Sequence, residues 1–395
     1  MDTIDELLTR GVENIIPNRA ALEKVLRSGR KLNIYLGIDP TATNIHIGHA
    51  VPLRKLQRFA ELGHHVTFLI GDFTALIGDT SDKDAERPVL TSEQIETNFQ
   101  TYKKQASKIL DFSKITVRHN SEWLKDLKFA DIVKLTKHFS AGDFVGRELI
   151  KKRLADGKKV GLHELLYPVM QGYDSYFMDT DIQLGGTDQT FNMQAGRVLQ
   201  KDLRGKESFI IANGFLSGTD GRKMSKTWNN GIWLIDEPSD MFGKIMSLKD
   251  TLIEQYYHLA TNLPMITIVK VKQRLSSGEN PMILKKELAF AIVTELHSKT
   301  DATKAQGSFE SKFQKKSLDM SDIPVFSTKQ TLWKLTELLV ETKTAVSKSE
   351  ARRLIEQDAV EINGVGIKFQ TTEVIIKTND IIKIGKKKFV KIHII

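Results

Sequence analysis

The chain has 395 residues, no cysteine, a formal net charge of +9 and a pI near 9.3. The absence of cysteine excludes disulfides and thiolate metal sites, and no apolar run reaches the roughly 18 residues needed to cross a bilayer. The length suits two or three domains, and the start, Met1-Asp-Thr-Ile-Asp-Glu6, lacks a basic n-region and an apolar stretch, so the expectation is a cytoplasmic protein without a secretory signal.

Residues up to about Arg30 read as helical and peripheral. From Lys31 to about Lys226 strand-like runs alternate with helical ones, which predicts a doubly wound α/β parallel sheet. Leu32, Ile34, Leu36 and Ile38 alternate with Asn33, Tyr35 and Gly37, so this is a strand with Tyr35 and Gly37 on one face. After Asp39-Pro40 and His46-Ile-Gly-His49 comes an amphipathic helix with Leu53, Leu56 and Ala60 on one side, Pro52 in its first turn and Gly63 as its stop. Val66–Ile70, Ile115–Arg118, Ile182–Leu184 and Phe209–Ile211 read as further strands, and Gln94–Leu110 and Phe129–Phe139 as helices. The charged stretch from Asp143 to Gly157 interrupts the alternation, as part of an insert at about 120–166 within a domain ending near 235.

From Ser239 to about Leu296 the pattern is helical only, which predicts a separate helical domain. Thr300 to Val325 is polar and ends in Ile-Pro-Val, so 236–325 is expected to be helices plus a linker. Residues 332–395 read as a small α+β module. Ser347-Lys-Ser-Glu350 has the capping-box pattern before a helix with Ala351, Leu354 and Ile355, and short strands follow with turn signals at Asn379-Asp380 and Gly385-Lys386. From Lys343 onward eleven Lys/Arg stand against six Asp/Glu, a surplus of five, which suggests a polyanion partner for this end.

Four stretches carry chemistry. Two histidines sit where a strand turns into a helix, a position suited to phosphates because helix N–H groups point outward there. Gly48 between them leaves room for a ligand against the backbone. Next, Tyr167, Gln171 and Asp174 share one face of a helix over Leu162–Met178 that is otherwise apolar. A polar stripe there needs partners, supplied either by a ligand pocket or by an internal hydrogen-bond network, and Pro168 marks a helix start or a kink. Then Gln183-Leu-Gly-Gly-Thr-Asp-Gln189 leads from a strand into a helix. Its glycines admit a flat ligand and Asp188 can take a sugar hydroxyl, although Thr187 or Asp188 could simply cap the helix. Lastly, glycines at 214, 218 and 221 predict a mobile loop that lets Lys223 and Lys226 swing onto phosphates, although lysines in a loop are often only solvated.

Together these residues resemble the tyrosyl-tRNA synthetases over essentially the whole chain. His46-Ile-Gly-His49 and Lys223-Met-Ser-Lys-Thr227 resemble motifs of class I aminoacyl-tRNA synthetases in general. Tyr35, the Tyr167–Gln171–Asp174 set and Gly-Gly-Thr-Asp-Gln are more specific, and Gly71-Asp-Phe-Thr-Ala-Leu-Ile-Gly-Asp79 matches the same family. The resemblance implies a Rossmann-like catalytic domain and a C-terminal S4-like RNA-binding module. It implies that Tyr35 and Asp174 bind the phenolic hydroxyl of tyrosine. Asp79, Tyr167 and Gln171 would bind its ammonium, supported by Gln189 and Gln183. Gly186 and Asp188 would meet the ATP ribose, with Gly37, Asp39, Gly48, Met224 and Ser225 also in the ATP site. Thr41, His46, His49, Lys223 and Lys226 would act on the phosphates, joined by Lys83 and Arg87. Leu36 and Pro52 stand where some members place a ribose contact.

The same resemblance implies ATP with Mg2+ and no tightly bound cofactor or resident metal. Its partners would be tRNA(Tyr), through Arg352, Arg353 and Lys386-Lys387-Lys388, and a second copy of the chain, through the insert around 132–166. The rivals are a tryptophanyl enzyme, which would not need the Tyr35–Asp174 pair, an H-x-G-H nucleotidyltransferase, which would not need the lysine loop or a basic end, and a non-catalytic RNA-binding protein, against which the intact histidines and lysines stand.

Overall fold

The computed structural model describes residues 2–41, 43–78, 90–224, 228–311, 323–367, 373–385 and 388–395. It packs as two units, Met1–Phe309 and Glu310–Ile395. The first half of the first unit comprises α1 (Thr3–Thr9), β1 (Val12–Ile16), α2 (Arg19–Arg27), β2 (Asn33–Ile38), α3 (Ala50–Glu61), β3 (His65–Ile70), α4 (Ser92–Ala106) and β4 (Thr116–His119). The insert is helical: α5 (Ser121–Leu124), α6 (Phe129–Thr136), α7 (Ala141–Val145) and α8 (Glu148–Ala155). The second half is α9 (Leu162–Phe177), β5 (Ile182–Gly186), α10 (Thr190–Arg204) and β6 (Phe209–Asn213).

The six-stranded sheet has the order β1-β6-β5-β2-β3-β4 and is parallel except for β1. From β2 the chain winds one way through β3 to β4, then crosses to β5 and β6 on the other side. The order therefore reverses between β2 and β5, where an open parallel sheet leaves a crevice at its carboxyl ends. Register sets Tyr35 beside Thr67 on one side and Gln183 on the other. Gly63, at φ +74°, ends α3 as expected.

β1 departs from the helical expectation for the first 30 residues. Val12–Ile16 is too short for a clear period, and only Ile15 is buried; Glu13 and Asn14 face outward, which a sheet-edge position permits. Close packing fixes α9 against α10, since a Cβ on Gly172 would come within 3.0 Å of the Ala195 backbone.

α11 (Pro238–Met246), α12 (Ile253–Ala260), α13 (Met265–Ser276), α14 (Pro281–Leu296) and α15 (Lys299–Phe309) complete the first unit. Two expectations change here. The helices are not a separate body: Phe242, Ile245, Tyr256, Leu288 and Ala302 belong to the same buried apolar cluster as Ile34, Leu56 and Phe68. Thr300–Phe309 is not linker but helix, held by buried Ala302 and Ala305. Residues 312–322 lie outside the described residues.

The second unit contains β7 (Val325–Thr328), β8 (Leu332–Lys334), α16 (Leu335–Glu341), α17 (Lys348–Glu356), β9 (Val360–Ile362), β10 (Val365–Gly366), β11 (Glu373–Ile375), β12 (Ile381–Ile384) and β13 (Lys388–Ile394). It has its own core, including Leu338, Leu339, Ala351, Ile355, Val360 and Ile392. The module begins before the expected 332, because β7 pairs in parallel with β13 through Val325 and Lys391. Ser347 caps α17, accepting from the Glu350 amide at 3.2 Å, while Glu350 reaches back to the Val346 amide at 2.7 Å.

Candidate active site

The crevice at the β2–β5 reversal opens into a cavity of about 730 Å³ within the first unit. Strand β2 brings in Tyr35 and Gly37, and the turn after it Asp39 and Thr41; His46, Gly48 and His49 follow at the start of α3. Tyr167, Gln171 and Asp174 line it together from α9, so the stripe faces this cavity, with Pro168 inside the continuous helix. Gly186, Asp188 and Gln189 enter from the end of β5, and Lys223 and Met224 from the loop after β6. Leu36 and Pro52 also reach it. Asp79, Lys83, Arg87, Ser225 and Lys226 lie outside the described residues.

At the Tyr35 side the groups are buried and directed. Asp174 is 3% exposed and accepts from Trp123 Nε1 at 2.7 Å and Asn120 Nδ2 at 3.1 Å. Burial pushes its pKa up to about 8, against the pull of these two donors. The Tyr35 hydroxyl donates to Gln183 Oε1 at 3.1 Å, and burial, then the Asp174 charge, hold its pKa well above the usual value. Gln183 stands behind Tyr35, fully buried, with Nε2 donating to the Met193 carbonyl at 2.8 Å, so its carbonyl is fixed towards the phenol. Gly196 makes room for it: a Cβ there would meet Gln183 at 2.7 Å.

Asn120 spends its amide fully. It accepts the Phe73 amide at 3.0 Å and donates to Thr74 Oγ1 at 2.9 Å as well as to Asp174. Thr74 in turn donates to Asp39 Oδ1 at 2.9 Å, and the Tyr167 hydroxyl donates to Asp39 Oδ2 at 3.0 Å. One hydrogen-bonded chain thus joins Asp174 to Asp39. These two carboxylates flank a strand along which Tyr35 and Asp39 are roughly 13 Å apart at about 3.3 Å per residue.

The histidines are stacked, with ring centroids 3.7 Å apart, and His46 meets Trp233 edge-on at 5.6 Å. Burial, then His49 and Lys223, lower the His46 pKa to about 2, so the ring is neutral and its N–H is a donor without charge. Gly48 lines the cavity and also has a packing role. A Cβ there would meet His46 Nδ1 at 2.9 Å, so the glycine makes room for the stacked imidazole. The loop before the histidines is held by α4: Asn98 donates to the Pro40 carbonyl at 2.8 Å, and Gln105 takes the Ile45 amide at 2.8 Å while donating to the Thr43 carbonyl at 2.8 Å.

The lysine-bearing loop is braced. Gly218 is pressed against Asn230, which a Cβ would meet at 2.5 Å, and Asn230 donates to Asp220 Oδ1 at 2.8 Å and to the Lys223 carbonyl at 3.1 Å. Gly221, at φ +87°, makes the turn. Gly218 therefore permits a close approach to Asn230. Lys223 Nζ lies 5.9 Å from the Phe215 ring centre. Neither Thr187 nor Asp188 caps α10; Gln189 is at that position, without a side-chain cap bond.

Asn120, Trp123, Thr74, Asn98 and Gln105 were not singled out by sequence. Each is a common polar or aromatic residue far along the chain from its partner, and no spacing marks it. In the second unit Arg352 and Arg353 are exposed on α17; Lys388 is exposed and donates to the Thr344 carbonyl at 3.0 Å. Lys386 and Lys387 lie outside the described residues.

The family of class I tRNA synthetases (W and Y) matches residues 27–314, and the SYY-like C-terminal domain of tyrosine–tRNA ligases matches residues 316–392. Tyrosine–tRNA ligase 2 of Pseudoalteromonas translucida is 43% identical over 391 residues, 98% of each chain. The tyrosine–tRNA ligase of Dehalococcoides mccartyi is 42% identical over 392 residues, again 98% of each. Among solved structures, a C-terminally truncated mitochondrial tyrosyl-tRNA synthetase from Aspergillus nidulans superposes with a TM-score of 0.67 at 21% identity, covering 79% of this chain and 94% of that one. The Archaeoglobus fulgidus tyrosyl-tRNA synthetase complexed with L-tyrosine gives 0.61 at 21%, covering 78% of this chain and all of that one. At these identities the structural matches show the fold.

Proposed function

The chain belongs to the tyrosine–tRNA ligases, class I enzymes that activate tyrosine with ATP and charge tRNA, and we propose that the cavity between β2 and β5 is where both steps take place. The observation that carries this reading is the convergence of Tyr35 and Asp174, two buried polar groups, on one cavity with His46, His49 and Lys223.

Tyrosine enters with its phenol between Tyr35 and Asp174. Asp174 accepts the phenolic proton; Tyr35, its hydroxyl oriented by Gln183, completes the contact. A phenylalanine ring gives up the bonds that the tyrosine hydroxyl would add to both groups, at roughly 1–3 kcal/mol for each bond left unmade in the buried site. Tyr167 and Gln171 take the ammonium, with Gln189 in support, and Asp79 is assigned the same task from the sequence resemblance. Gly186 and Asp188 receive the ATP ribose. Magnesium comes with the ATP phosphates as part of the substrate.

The tyrosine carboxylate attacks the α-phosphorus and pyrophosphate leaves. A carboxylate is already a nucleophile, so no general base is needed, and the rate comes from alignment and from donors to the developing charge. His46 supplies a neutral N–H, and Lys223 a cation; Thr41 and His49 share this end, and Lys226 is assigned to it from the sequence resemblance. A ribose hydroxyl of tRNA then attacks the acyl carbon and AMP departs. Arg352 and Arg353 suit backbone phosphates of the tRNA.

A second copy of the chain fits the insert. Phe129 on α6 and Leu162 at the start of α9 are 80% and 75% exposed, an unusual level for large apolar side chains. No described helix is long and apolar enough to cross a membrane, and action in the cytoplasm, where tRNA is charged, fits this reading.

The test is tyrosine-dependent ATP–pyrophosphate exchange against a panel of amino acids. Exchange with tyrosine alone supports the assignment; equal exchange with phenylalanine or tryptophan overturns the Tyr35–Asp174 role.

A further inference from the structure

Helix α3 has cavities on two sides. Pro52 and Leu53 line the tyrosine cavity, whereas Val51, Arg54, Lys55 and Arg58 line a second one of about 190 Å³, closed by α1 and the end of α12. Its lining includes four cations, Arg10, Arg54, Lys55 and Arg58, against one carboxylate, Glu6. Part of this charge is structural. Arg10 donates to the carbonyls of His258 at 3.0 Å, Leu263 at 2.7 Å and Thr261, and to Glu6 at 3.1 Å. Lys55 Nζ donates to the carbonyls of Leu7 and Arg10, the latter at 2.6 Å. These bonds fasten α1 to α3.

Arg54 is not accounted for in this way. It is 7% exposed, gives Nε to Glu295 Oε1 at 2.9 Å and sets Nη2 2.8 Å from the same oxygen, an ion pair that leaves Nη1 without a hydrogen bond to any described residue. Glu295 is already shared, since it also accepts the backbone and side-chain nitrogens of Asn262 at 3.0 and 2.9 Å. A buried guanidinium donor without an acceptor is unfavourable, so such groups ordinarily face a partner. Burial, then the Arg10 charge, pull the Lys55 ammonium down to about 7, so the standing positive charge of the lining rests on its arginines. Its volume far exceeds the roughly 10–15 Å³ that one water requires, and a tetrahedral oxyanion fits the planar fork of Arg54.

We propose that the cavity between α1, α3 and α12 binds a phosphate-type oxyanion, with Arg54 as its principal ligand and Arg58 at its half-exposed mouth. The site is separate from the tyrosine cavity. Its modest volume favours a free inorganic ion over the phosphate of a nucleotide.

The test uses the full-length chain with its tyrosine and adenylate positions filled by a non-hydrolysable tyrosyl-adenylate analogue, and Lys223→Ala reports any phosphate bound at the pyrophosphate position that this leaves open. Inorganic phosphate is titrated by calorimetry at constant ionic strength, with chloride as the control. One saturable phosphate per chain is expected, weakened at least tenfold in Arg54→Leu and several-fold in Arg58→Ala, and unchanged in Lys223→Ala. Should Arg54→Leu fail to fold, Arg58→Ala, at an exposed position, carries the comparison. A parallel titration with AMP distinguishes the sources: competition with phosphate identifies a nucleotide phosphate, its absence a free ion, and either supports the site. No saturable phosphate binding, or equal binding in wild type and both arginine variants, overturns it.

Discussion

The indole nitrogen of Trp123 donates to Asp174 Oδ1 across 2.7 Å, and this bond fixes a carboxylate that its own helix could not hold in place. With Asn120 on the other oxygen, Asp174 is directed into the cavity while remaining buried. Asp174→Asn keeps the shape and replaces one carboxyl oxygen with an amide nitrogen. Tyrosine-over-phenylalanine discrimination in pyrophosphate exchange should fall by about tenfold or more, the equivalent of roughly 1.4 kcal/mol or above. An unchanged ratio would remove Asp174 from hydroxyl recognition. Trp123→Phe should reproduce part of the loss, because it frees the carboxylate to rotate.

The same carboxylate makes a pH prediction for the ligand-free protein. Its pKa is about 8 folded, against an ordinary 3.8 when exposed. Between these values the folded state holds a proton that the unfolded state has released. Its contribution therefore weakens stability as pH rises from about 4 to about 8. Urea denaturation of wild type and Asp174→Asn across this range should show a less negative slope for the variant. Parallel slopes would mean that Asp174 ionises normally.

His46 is buried and neutral, with a pKa near 2. Its role as a phosphate donor should therefore show no inflection between pH 5 and 9. His46→Ala should lower the rate of adenylate formation by roughly 10²–10³, as for loss of one oriented donor in a transition state. Tyrosine affinity should hardly move. Stopped-flow measurement of adenylate formation separates the two; equal losses in binding and rate would assign His46 to ground-state binding.

Gly71 tests the chain that joins Asp39 to Asp174. A Cβ there would fall 2.0 Å from Asp39 Oδ1 and 2.4 Å from Thr74 Oγ1. Gly71→Ala must displace one of them and should cost roughly 1–3 kcal/mol of stability, with loss of exchange activity beyond that of an equally destabilised control such as Leu22→Ala, whose side chain is buried away from the cavity lining. A soluble, fully active Gly71→Ala variant would show that the Asp39–Thr74 contact is dispensable.

What could be read in advance was local. The β2 alternation, the α9 stripe and the β5 turn each lie within one element, so their periodicity places Tyr35, Tyr167, Gln171, Asp174 and Asp188 without knowledge of the fold. What could not be read comes from elsewhere in the chain. Asn120 and Trp123 reach Asp174 across more than fifty residues, and Gln105 reaches Thr43 across 62. The reasons for Gly48 and Gly218 are contacts with His46 and Asn230, visible only once packed. Likewise the helices after 235 show helical period but not the core they share with the sheet, and β7 is an exposed short run whose partner β13 comes at the other end of the module.

The boundary between the units predicts a separation of the two half-reactions. Every cavity residue named above lies before 225, and the core of the first unit includes Ala302 and Ala305 without drawing on any described residue after Phe309. The second unit has an independent core. Removing residues 312–395 should therefore leave tyrosine-dependent pyrophosphate exchange near normal. A cut at 332 is the wrong one, since it leaves β7 without β13 and strips Phe326 of the core it packs against. Charging of tRNA should fall, chiefly through weaker binding, because the surplus of five positive charges from Lys343 onward is lost. In the intact protein log affinity for tRNA should drop steeply with log salt, and the truncated chain should show a shallower slope, reduced by about 0.7–0.9 for each phosphate contact removed. Equal charging by both forms at physiological salt, with equal slopes, would detach the second unit from tRNA.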